Sequence, residues 1–441
     1  MVPEKTTKQM RAPKEKSIQS VKGMRDVAPN QQALWDKIRS AVASRAVMYN
    51  FSRIDTPILE HANLFERTLG EDTDVIEKEM YVIRTKGGDV LAMRPEGTAG
   101  VMRAFLENGL SRLGTPQKLY YEGPMFRHEN PQAGRLRQFT QAGFEIVSGA
   151  NDGLYDAQVI VVAQSILEEL KIKNTVLKIN SIGCRVCRPI YKKQLVAYYK
   201  NSEKDLCEDC KRRIKTNPLR LLDCKKTECQ KLKTNAPNIL DKLCVTCSQH
   251  FKEVLEYLDE LGIAYTLTNH LVRGLDYYSR TVFEIHMAES SKHDLNIGAI
   301  GSGGRYDYLA EMIGGRQTPA VGFALGYERI IEVLQHQQTV APEKPQKKVF
   351  VAHAGELAKK KALSIIQQLH KAQIQTSENL AKESLAAQLK AANKEGMHIA
   401  IIVGQKEIYE QSVIVRDLVM GLQETFPLNR MVEEIKKRLK S

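Results

Sequence analysis

The sequence predicts an α+β chain: a mainly antiparallel sheet with flanking helices, interrupted by a Cys-rich basic insertion and followed by a separate α/β domain. Three observations predict it. Short strand-like runs bounded by turn residues mix irregularly with helical patterns up to about residue 335. All eight cysteines fall between Cys184 and Cys247. A Gln/Pro/Lys-rich stretch at 336–348 is then followed by a different, more regular rhythm of strands and helices. At 441 residues the chain has ample surface to bury in more than one domain. With 42% hydrophobic and 27% charged residues, wholesale disorder and fibrous repeats are excluded. No apolar run approaches the roughly 18 residues of a membrane span, and the basic start resembles no signal peptide, so a cytoplasmic location without membrane attachment is expected.

Residues 1–20 are polar and basic without periodicity and read as a flexible leader. Over 30–48, Leu34, Trp35, Ile38, Val42 and Val47 recur at helical spacing without proline or glycine, giving a helix with one buried face. Residues 51–60 read as one strand, with Pro57 at an edge or end. The runs 81–85 and 90–93 flank Lys86-Gly87-Gly88-Asp89, a hairpin signature. Further strands are expected at 119–121, 143–147, 176–180, 282–287 and 299–301, and helices at 99–108, 156–170 and 327–335. The first domain thus spans 21–335, with the insertion at about 184–250 and a linker at 336–348. The second domain, 349–441, reads as strand 349–352, helices 356–370 and 384–395, strands 399–403 and 412–417, and a last helix near 431–439.

Charge is unevenly spread. The chain carries a net +13, and residues 184–250 alone hold 16 basic against 7 acidic side chains, a net +9. A polyanionic partner suits that surface. The same stretch contains Cys184-x2-Cys187, Cys207-x2-Cys210 and Cys244-x2-Cys247, with Cys224 and Cys229 as a looser pair. Eight such cysteines supply one or two tetrahedral thiolate sets for structural zinc. Reduced cysteines in an insertion that folds without metal are the alternative, and spacing does not choose between them.

The chemistry concentrates at 123–145, where two strand-like ends surround a polar loop with Pro131 and Gly134. The alternation Arg137, Phe139, Gln141, Gly143 puts polar groups on a strand face normally apolar. Guanidinium groups at Arg127, Arg135 and Arg137 there offer planar bidentate donors to phosphate or carboxylate. Gly301-Ser302-Gly303-Gly304-Arg305 lacks the GxxxxGK[ST] pattern and reads as a tight backbone approach or a strand-end turn, with no evident chemistry at Ser302. The histidines, His128, His286 and His353 among them, show no metal spacing and read as satisfied or surface groups.

Phe126-Arg127-His128-Glu129 with its loop and strand resembles motif 2 of the class II aminoacyl-tRNA synthetases. Residues 51–60 resemble motif 1 around Pro57, and Ala320-Val321-Gly322-Phe323-Ala324-Leu325-Gly326-Tyr327-Glu328-Arg329 resembles motif 3. Leu271-Val272-Arg273-Gly274-Leu275-Asp276-Tyr277-Tyr278 and Gly303-Gly304-Arg305-Tyr306-Asp307 resemble the two signatures of histidyl-tRNA synthetase, and Arg94-Pro95-Glu96-Gly97-Thr98 its amino-acid-binding turn. The resemblance runs from about Lys22 to the C-terminus, where the region from Lys347, with Val413-Ile414-Val415-Arg416-Asp417-Leu418 near its end, is similar to an anticodon-binding domain.

The resemblance implies ATP-dependent ligation of L-histidine to tRNA(His) through histidyl-adenylate. Glu96 and Thr98 of the Glu96-Gly97-Thr98 turn, with Gln141, would take the substrate α-amino group. Glu145 and Tyr278 would take its imidazole, with Tyr277 beside them and Tyr306 facing the substrate. Arg127 would bind the ATP α-phosphate, Arg329 the γ-phosphate, Glu129 would lie near adenine, and Arg135 would approach the nucleotide tail or the tRNA end. Arg273 would be the catalytic arginine with Arg127, and Mg²⁺ would accompany ATP. It further implies a homodimer built through motif 1 near Arg53–Glu60, and an insertion that leans over the tRNA acceptor arm. Arg416 and the basic run Lys436-Lys437-Arg438 face the anticodon or solvent. An inactive regulatory paralogue predicts erosion of Arg273, Tyr278 or the C-terminal domain, and this chain keeps all three. A synthetase for another amino acid has no use for Glu145 with the 271–278 signature.

Overall fold

The computed structural model describes residues 17–70, 73–147, 150–288, 297–337 and 348–440, the side chain of the last excepted. The chain forms two compact bodies, Met1–Val340 and Ala341–Ser441. Most of the leader expected at 1–20 and of the linker at 336–348 lies outside the described residues; His336 itself ends a helix. No described helix is long and apolar enough to cross a membrane.

The first body begins with helix α1 (Gln32–Met48), strands β1 (Ser52–Arg53) and β2 (Leu59–His61), and helix α2 (Ala62–Leu69). Trp35, Ile38, Val42 and Ala46 form the buried stripe of α1. Val47, expected on that stripe, is exposed, because it lies five residues beyond Val42 and off the i+3/i+4 face. The single strand expected at 51–60 is two strands in different sheets, with Pro57 in the step between them. Proline brings no N–H and fixes φ, so pairing breaks there. Buried Arg94 ties the crossing chain down by donating Nη1 to Thr56 O and Nε to Pro124 O, both at 2.9 Å.

Strands β3 (Val82–Arg84) and β4 (Val90–Met93) make the expected hairpin, whose turn uses Gly88 at φ +94°. Helix α3 (Thr98–Glu107), the long hairpin β5 (Gln117–Phe126) and β6 (Gln138–Val147), helix α4 (Gly153–Glu169) and β7 (Thr175–Ser181) follow. The insertion is helical, with α5 (Cys187–Lys200), α6 (Glu208–Thr216), α7 (Thr227–Lys233) and α8 (Val245–Glu260). The body closes with β8 (Tyr265–Leu267), β9 (Ser279–Met287), β10 (Gly301–Arg305), α9 (Leu309–Met312), β11 (Ala320–Gly326) and α10 (Tyr327–His336).

Eight strands order as β1-β5-β6-β11-β10-β9-β7-β8; the two outermost pairings are parallel and the rest antiparallel. Residues 299–301, expected as a strand, reach β10 only at Gly301, and β10 occupies the stretch read as a tight backbone approach or a strand-end turn. The glycines allow it: a Cβ on Gly303 would stand 2.3 Å from Gly322 O. One sheet face packs on α1, α4, α8 and α10 through Phe144, Ile146, Phe283, Phe323 and Leu325. Phe144 stacks on Phe323 with centroids 5.1 Å apart, and burial of each such ring contributes about 1.5–3 kcal/mol. Arg305 is 1% exposed between Asp156 and Asp307 and donates Nη1 to Asp307 Oδ1 at 3.1 Å. Burial would raise the Asp156 pKa; Arg305 and His250 outweigh it and hold the carboxyl below the usual range. Such a paired charge fastens β10 to α4 and α8.

In the second body, β12 (Val349–His353), α11 (Glu356–Lys371), β13 (Thr376–Glu378), α12 (Leu385–Lys394), β14 (Ile399–Val403), α13 (Gln405–Tyr409), β15 (Ser412–Asp417), β16 (Gln423–Pro427) and α14 (Met431–Lys440) build a sheet ordered β13-β12-β14-β15-β16. Val349 and Val351 pack towards α11 and α14, Phe350 and Ala352 towards α12, as expected of a parallel strand covered on both faces. β13, α13 and β16 were not expected; each is short or largely polar, so period-2 and period-3.6 patterns are weak there.

Candidate active site

The other face of the eight-stranded sheet is polar and forms the floor of a cavity of about 860 Å³. Its wall includes Glu96, Thr98 and Gln141, three tyrosines (Tyr277, Tyr278, Tyr306), and the arginines Arg127, Arg135, Arg273 and Arg329. Chain-distant segments converge because β6, β10 and β11 are adjacent and the α3 N-terminus approaches them.

Glu96 caps α3: Oε2 accepts from Thr98 N at 2.7 Å and Oε1 from Ala99 N at 2.8 Å. The Tyr277 hydroxyl donates to Oε2 at 3.2 Å. Burial raises the Glu96 pKa against those backbone bonds. Gly97 presents backbone; a Cβ there would stand 2.3 Å from the Tyr121 ring. Gln141 projects from β6 into the cavity, and its buried Oε1 has no hydrogen-bond partner among the described residues. An orphaned buried acceptor costs about 1–3 kcal/mol until a donor arrives, which an ammonium group supplies.

Glu145, four residues along β6 from Gln141 and on the same face, lies one layer behind the wall. Thr98 Oγ1 donates to its Oε1 at 2.7 Å and the Tyr306 hydroxyl donates to its Oε2. Burial pushes its carboxyl up to about 8, despite those two donors. Gly322 on β11 faces it, and a Cβ there would stand 1.7 Å from Oε2.

The arginines occupy defined seats. Arg273 pairs with Glu284, donates to Ser302 Oγ at 2.7 Å, and lies over the Tyr278 ring at 5.5 Å. Burial opposes its charge, but Glu284 together with Tyr278 and Tyr277 outweighs this and raises its pKa. Ser302, expected to be without chemistry, is a positioning acceptor for Arg273. His286, read as a satisfied or surface group, is satisfied by Glu284, with Nε2 at 2.9 Å from Oε2, and lines the cavity. Arg127 donates Nε to Pro95 O at 2.9 Å and lies over Phe139. Arg135 pairs with Glu129 at 3.4 Å. Arg329 and Glu332, on successive turns of α10, hold the peptide of Gly134 (φ +65°): Arg329 Nε donates to Gly134 O at 3.2 Å, and Gly134 N donates to Glu332 Oε1 at 2.6 Å. Arg137 instead points away, with Nε donating to Glu129 O, and is no part of the wall. Glu284 and Glu332 were missed; Glu284 breaks the apolar pattern of β9, a signal available in the sequence.

The eight cysteines fall into two groups, Cys184/Cys187/Cys244/Cys247 and Cys207/Cys210/Cys224/Cys229, each with Sγ atoms within 4.8 Å of one another. Sγ separations are 3.7 Å (Cys184–Cys187), 3.9 Å (Cys184–Cys244) and 3.8 Å (Cys207–Cys224). A tetrahedral ion with metal–sulfur bonds of about 2.3 Å spaces its sulfurs about 3.8 Å apart. A disulfide would need about 2.05 Å. Both groups could therefore hold a metal ion. Backbone N–H groups aim at the sulfurs, from Cys244 to Cys187 at 3.0 Å and from Cys207 to Cys229 at 3.4 Å, the second-layer contacts that metal-bound thiolates use.

Residues 23–330 match a family described as histidyl-tRNA synthetase, and 348–438 match the anticodon binding domain. The chain is 44% identical to the histidine–tRNA ligase of Dehalococcoides mccartyi over 96% of this chain and all of that one. It is 43% identical to the histidine–tRNA ligase of Thermodesulfovibrio yellowstonii over 95% and 98% of the two chains. The crystal structure of apo S. aureus histidyl-tRNA synthetase superposes with TM-score 0.78 at 31% identity, covering 95% of this chain and 99% of the other. An ATP phosphoribosyltransferase regulatory subunit/histidyl-tRNA synthetase from Bacillus halodurans C shares the fold, with TM-score 0.61 at 18% identity over 88% and 98% of the chains. By family match over most of its length, full-length relatives above 40% identity and a common catalytic fold, the chain belongs to the histidyl-tRNA synthetase family.

Proposed function

We propose that the chain ligates L-histidine to tRNA(His) at the expense of ATP, forming histidyl-adenylate and then releasing AMP. One observation carries this reading: a single continuous cavity brings Glu96, Thr98, Gln141, Tyr277, Tyr278 and Tyr306, groups suited to an ammonium and an imidazole, together with Arg127, Arg135, Arg329 and Arg273, groups suited to phosphates. Glu145 supports the first set through Thr98 and Tyr306 and takes the imidazole N–H once those hydroxyls turn aside.

In the first step a histidine carboxylate oxygen bonds to the α-phosphorus and the bond to pyrophosphate breaks. Two anions meet, so fixed cations must stabilise the charge developing at phosphorus. Arg127 and Arg273 are those cations in this reading. Of the cavity carboxylates, Glu129 and Glu284 are paired with Arg135 and Arg273; Mg²⁺ would enter with the ATP phosphates and neutralise part of their charge. In the second step the tRNA 3′-hydroxyl attacks the mixed anhydride, and the adenylate phosphate oxygen accepts its proton. Residues 21–335 serve as the catalytic domain, with the basic insertion 184–250 positioning the acceptor arm through phosphate contacts, and 349–441 as the anticodon-binding domain. Each four-cysteine group takes Zn²⁺, and the reading includes a cytoplasmic location.

ATP–pyrophosphate exchange measured with each proteinogenic amino acid tests the assignment: exchange should depend on histidine alone, and its absence with histidine removes the reading. A homodimer built on the 53–60 segment is also proposed. Light scattering should return twice the chain mass, and a monomeric mass at assay concentration excludes it.

A further inference from the structure

The second cysteine group touches the active site. Cys207 and Cys224 lie on the cavity wall, and so do Arg213 and Arg220 from the chain between the ligands. That intervening chain, α6 and the 3₁₀ turn Pro218–Asp223, is staked by Cys210 at one end and Cys224 at the other. It docks on the loop that carries Arg273 and the two tyrosines. Asn217 Nδ2 donates to both Asp276 oxygens at 3.0 Å. Arg220 passes beside Gly274, where a Cβ would stand 3.1 Å from its Nη1. Arg213 and Arg220 converge on Asp74 Oδ2 at 3.1 and 2.9 Å.

We infer that the metal ion of the Cys207/Cys210/Cys224/Cys229 group is a positioning element for the histidine pocket, acting through Asn217 and Arg220 on the Arg273–Tyr278 loop. This rests on the metal reading of the cysteines and on the ligase reading of the cavity. The physical basis is the composition of the joint. Asn217 meets the loop through a polar contact with Asp276, and Arg220, anchored on Asp74, packs beside Gly274; both hold only while the staked segment is fixed. Without an ion the four thiols, three of them buried and Cys207 half-buried, are joined only by weak S–H contacts, so the segment loosens. Metal coordination supplies the rigidity that a short 3₁₀ turn between two small helices cannot supply by itself. Asn217 and Arg220 are thus positioning residues rather than catalytic ones, and the ion sits outside the reaction.

The test compares wild type, Cys224→Ser and Asn217→Ala as full-length chains, with zinc measured by mass spectrometry after purification without chelator. Wild type should carry two zinc ions per chain, Cys224→Ser one, and Asn217→Ala two. Cobalt-substituted wild type should show the thiolate charge-transfer and d–d bands of a tetrahedral four-sulfur site. In pyrophosphate exchange, both variants should raise the KM for histidine by about tenfold, the effect of losing a joint worth about 1.4 kcal/mol, while the KM for ATP stays within about twofold. Amide hydrogen exchange at 271–278 should accelerate in both, a readout independent of activity. If Cys224→Ser does not fold, Asn217→Ala decides. Wild type without zinc overturns the metal site whatever its activity. Loss of one zinc with unchanged 271–278 exchange and unchanged histidine KM overturns the coupling. Two zinc ions and a metal-dependent 271–278 loop in a protein lacking histidine-dependent exchange support the coupling and overturn only the ligase reading.

Discussion

Arg273→Ala is expected to slow histidine-dependent pyrophosphate exchange by about 10²–10³-fold, the loss typical of removing one preorganised stabiliser of transition-state charge. Its seat explains the size. The guanidinium is held by Glu284, Ser302 and the Tyr278 ring, with its side chain 15% exposed, so its charge is fixed before substrate arrives and little reorganisation is needed. Arg273→Lys should recover little, because an ammonium cannot reach Glu284 and Ser302 with two separate arms. Removing Arg273 also strands the Glu284 carboxylate, which Arg273 and His286 hold below its ordinary pKa against the opposing effect of burial. Urea melts of Arg273→Ala and Arg273→Ala/Glu284→Gln separate that structural cost from the chemistry. An exchange rate near wild type for Arg273→Ala would exclude the catalytic assignment.

Glu145→Gln is expected to reduce kcat/KM for histidine by about 10–10²-fold, the range for losing a hydrogen bond to a charged group, with the KM for ATP little changed. The amide has nearly the carboxyl shape, yet presents an NH₂ where the Thr98 and Tyr306 hydroxyls, and the imidazole N–H after they turn aside, need an acceptor. The pH dependence has a definite sign. Burial lifts the free-state carboxyl to about 8 from the usual carboxylate range. Below about 8 it is mostly protonated and a weaker acceptor for an imidazole N–H than the carboxylate, so histidine binding strengthens as pH rises towards about 8. In Glu145→Gln that slope should vanish, leaving only the substrate's own titration. For the fold the sign reverses: a raised carboxyl pKa favours the native state below the ordinary carboxylate range, and this contribution is lost as pH rises through about 8. A wild-type slope retained by Glu145→Gln would place the titrating group elsewhere.

Much of this architecture was legible because strong patterns cover it. The α1 stripe, the 81–93 hairpin and the order of elements 349–417 follow from periodicity and turn chemistry. Legibility failed where a backbone feature, not a side-chain pattern, decides structure. Pro57 splits a run that reads as one strand, and the glycines of 301–305 carry no strand periodicity although they pair on both sides in mid-sheet. The candidate site shows the same division. Residues in motifs could be named in advance, whereas Glu284, Ser302 and Glu332 act only through partners brought together by the fold. The sorting of eight cysteines into two sets joins residues about sixty apart for one set and about twenty apart for the other, which spacing alone left open.

The glycines at and behind the cavity wall set the terms for altering its substrate range. Gly97 and Gly143 clamp the Tyr121 ring from two directions, with added Cβ atoms falling 2.3 and 2.2 Å from it, and Gly322 abuts Glu145. Enlarging any of these positions collides with a neighbour before it reshapes the cavity. Redesign towards bulkier histidine analogues must therefore proceed by subtraction, trimming Tyr121 or Tyr306, and variant libraries that diversify the glycines will return mostly misfolded protein.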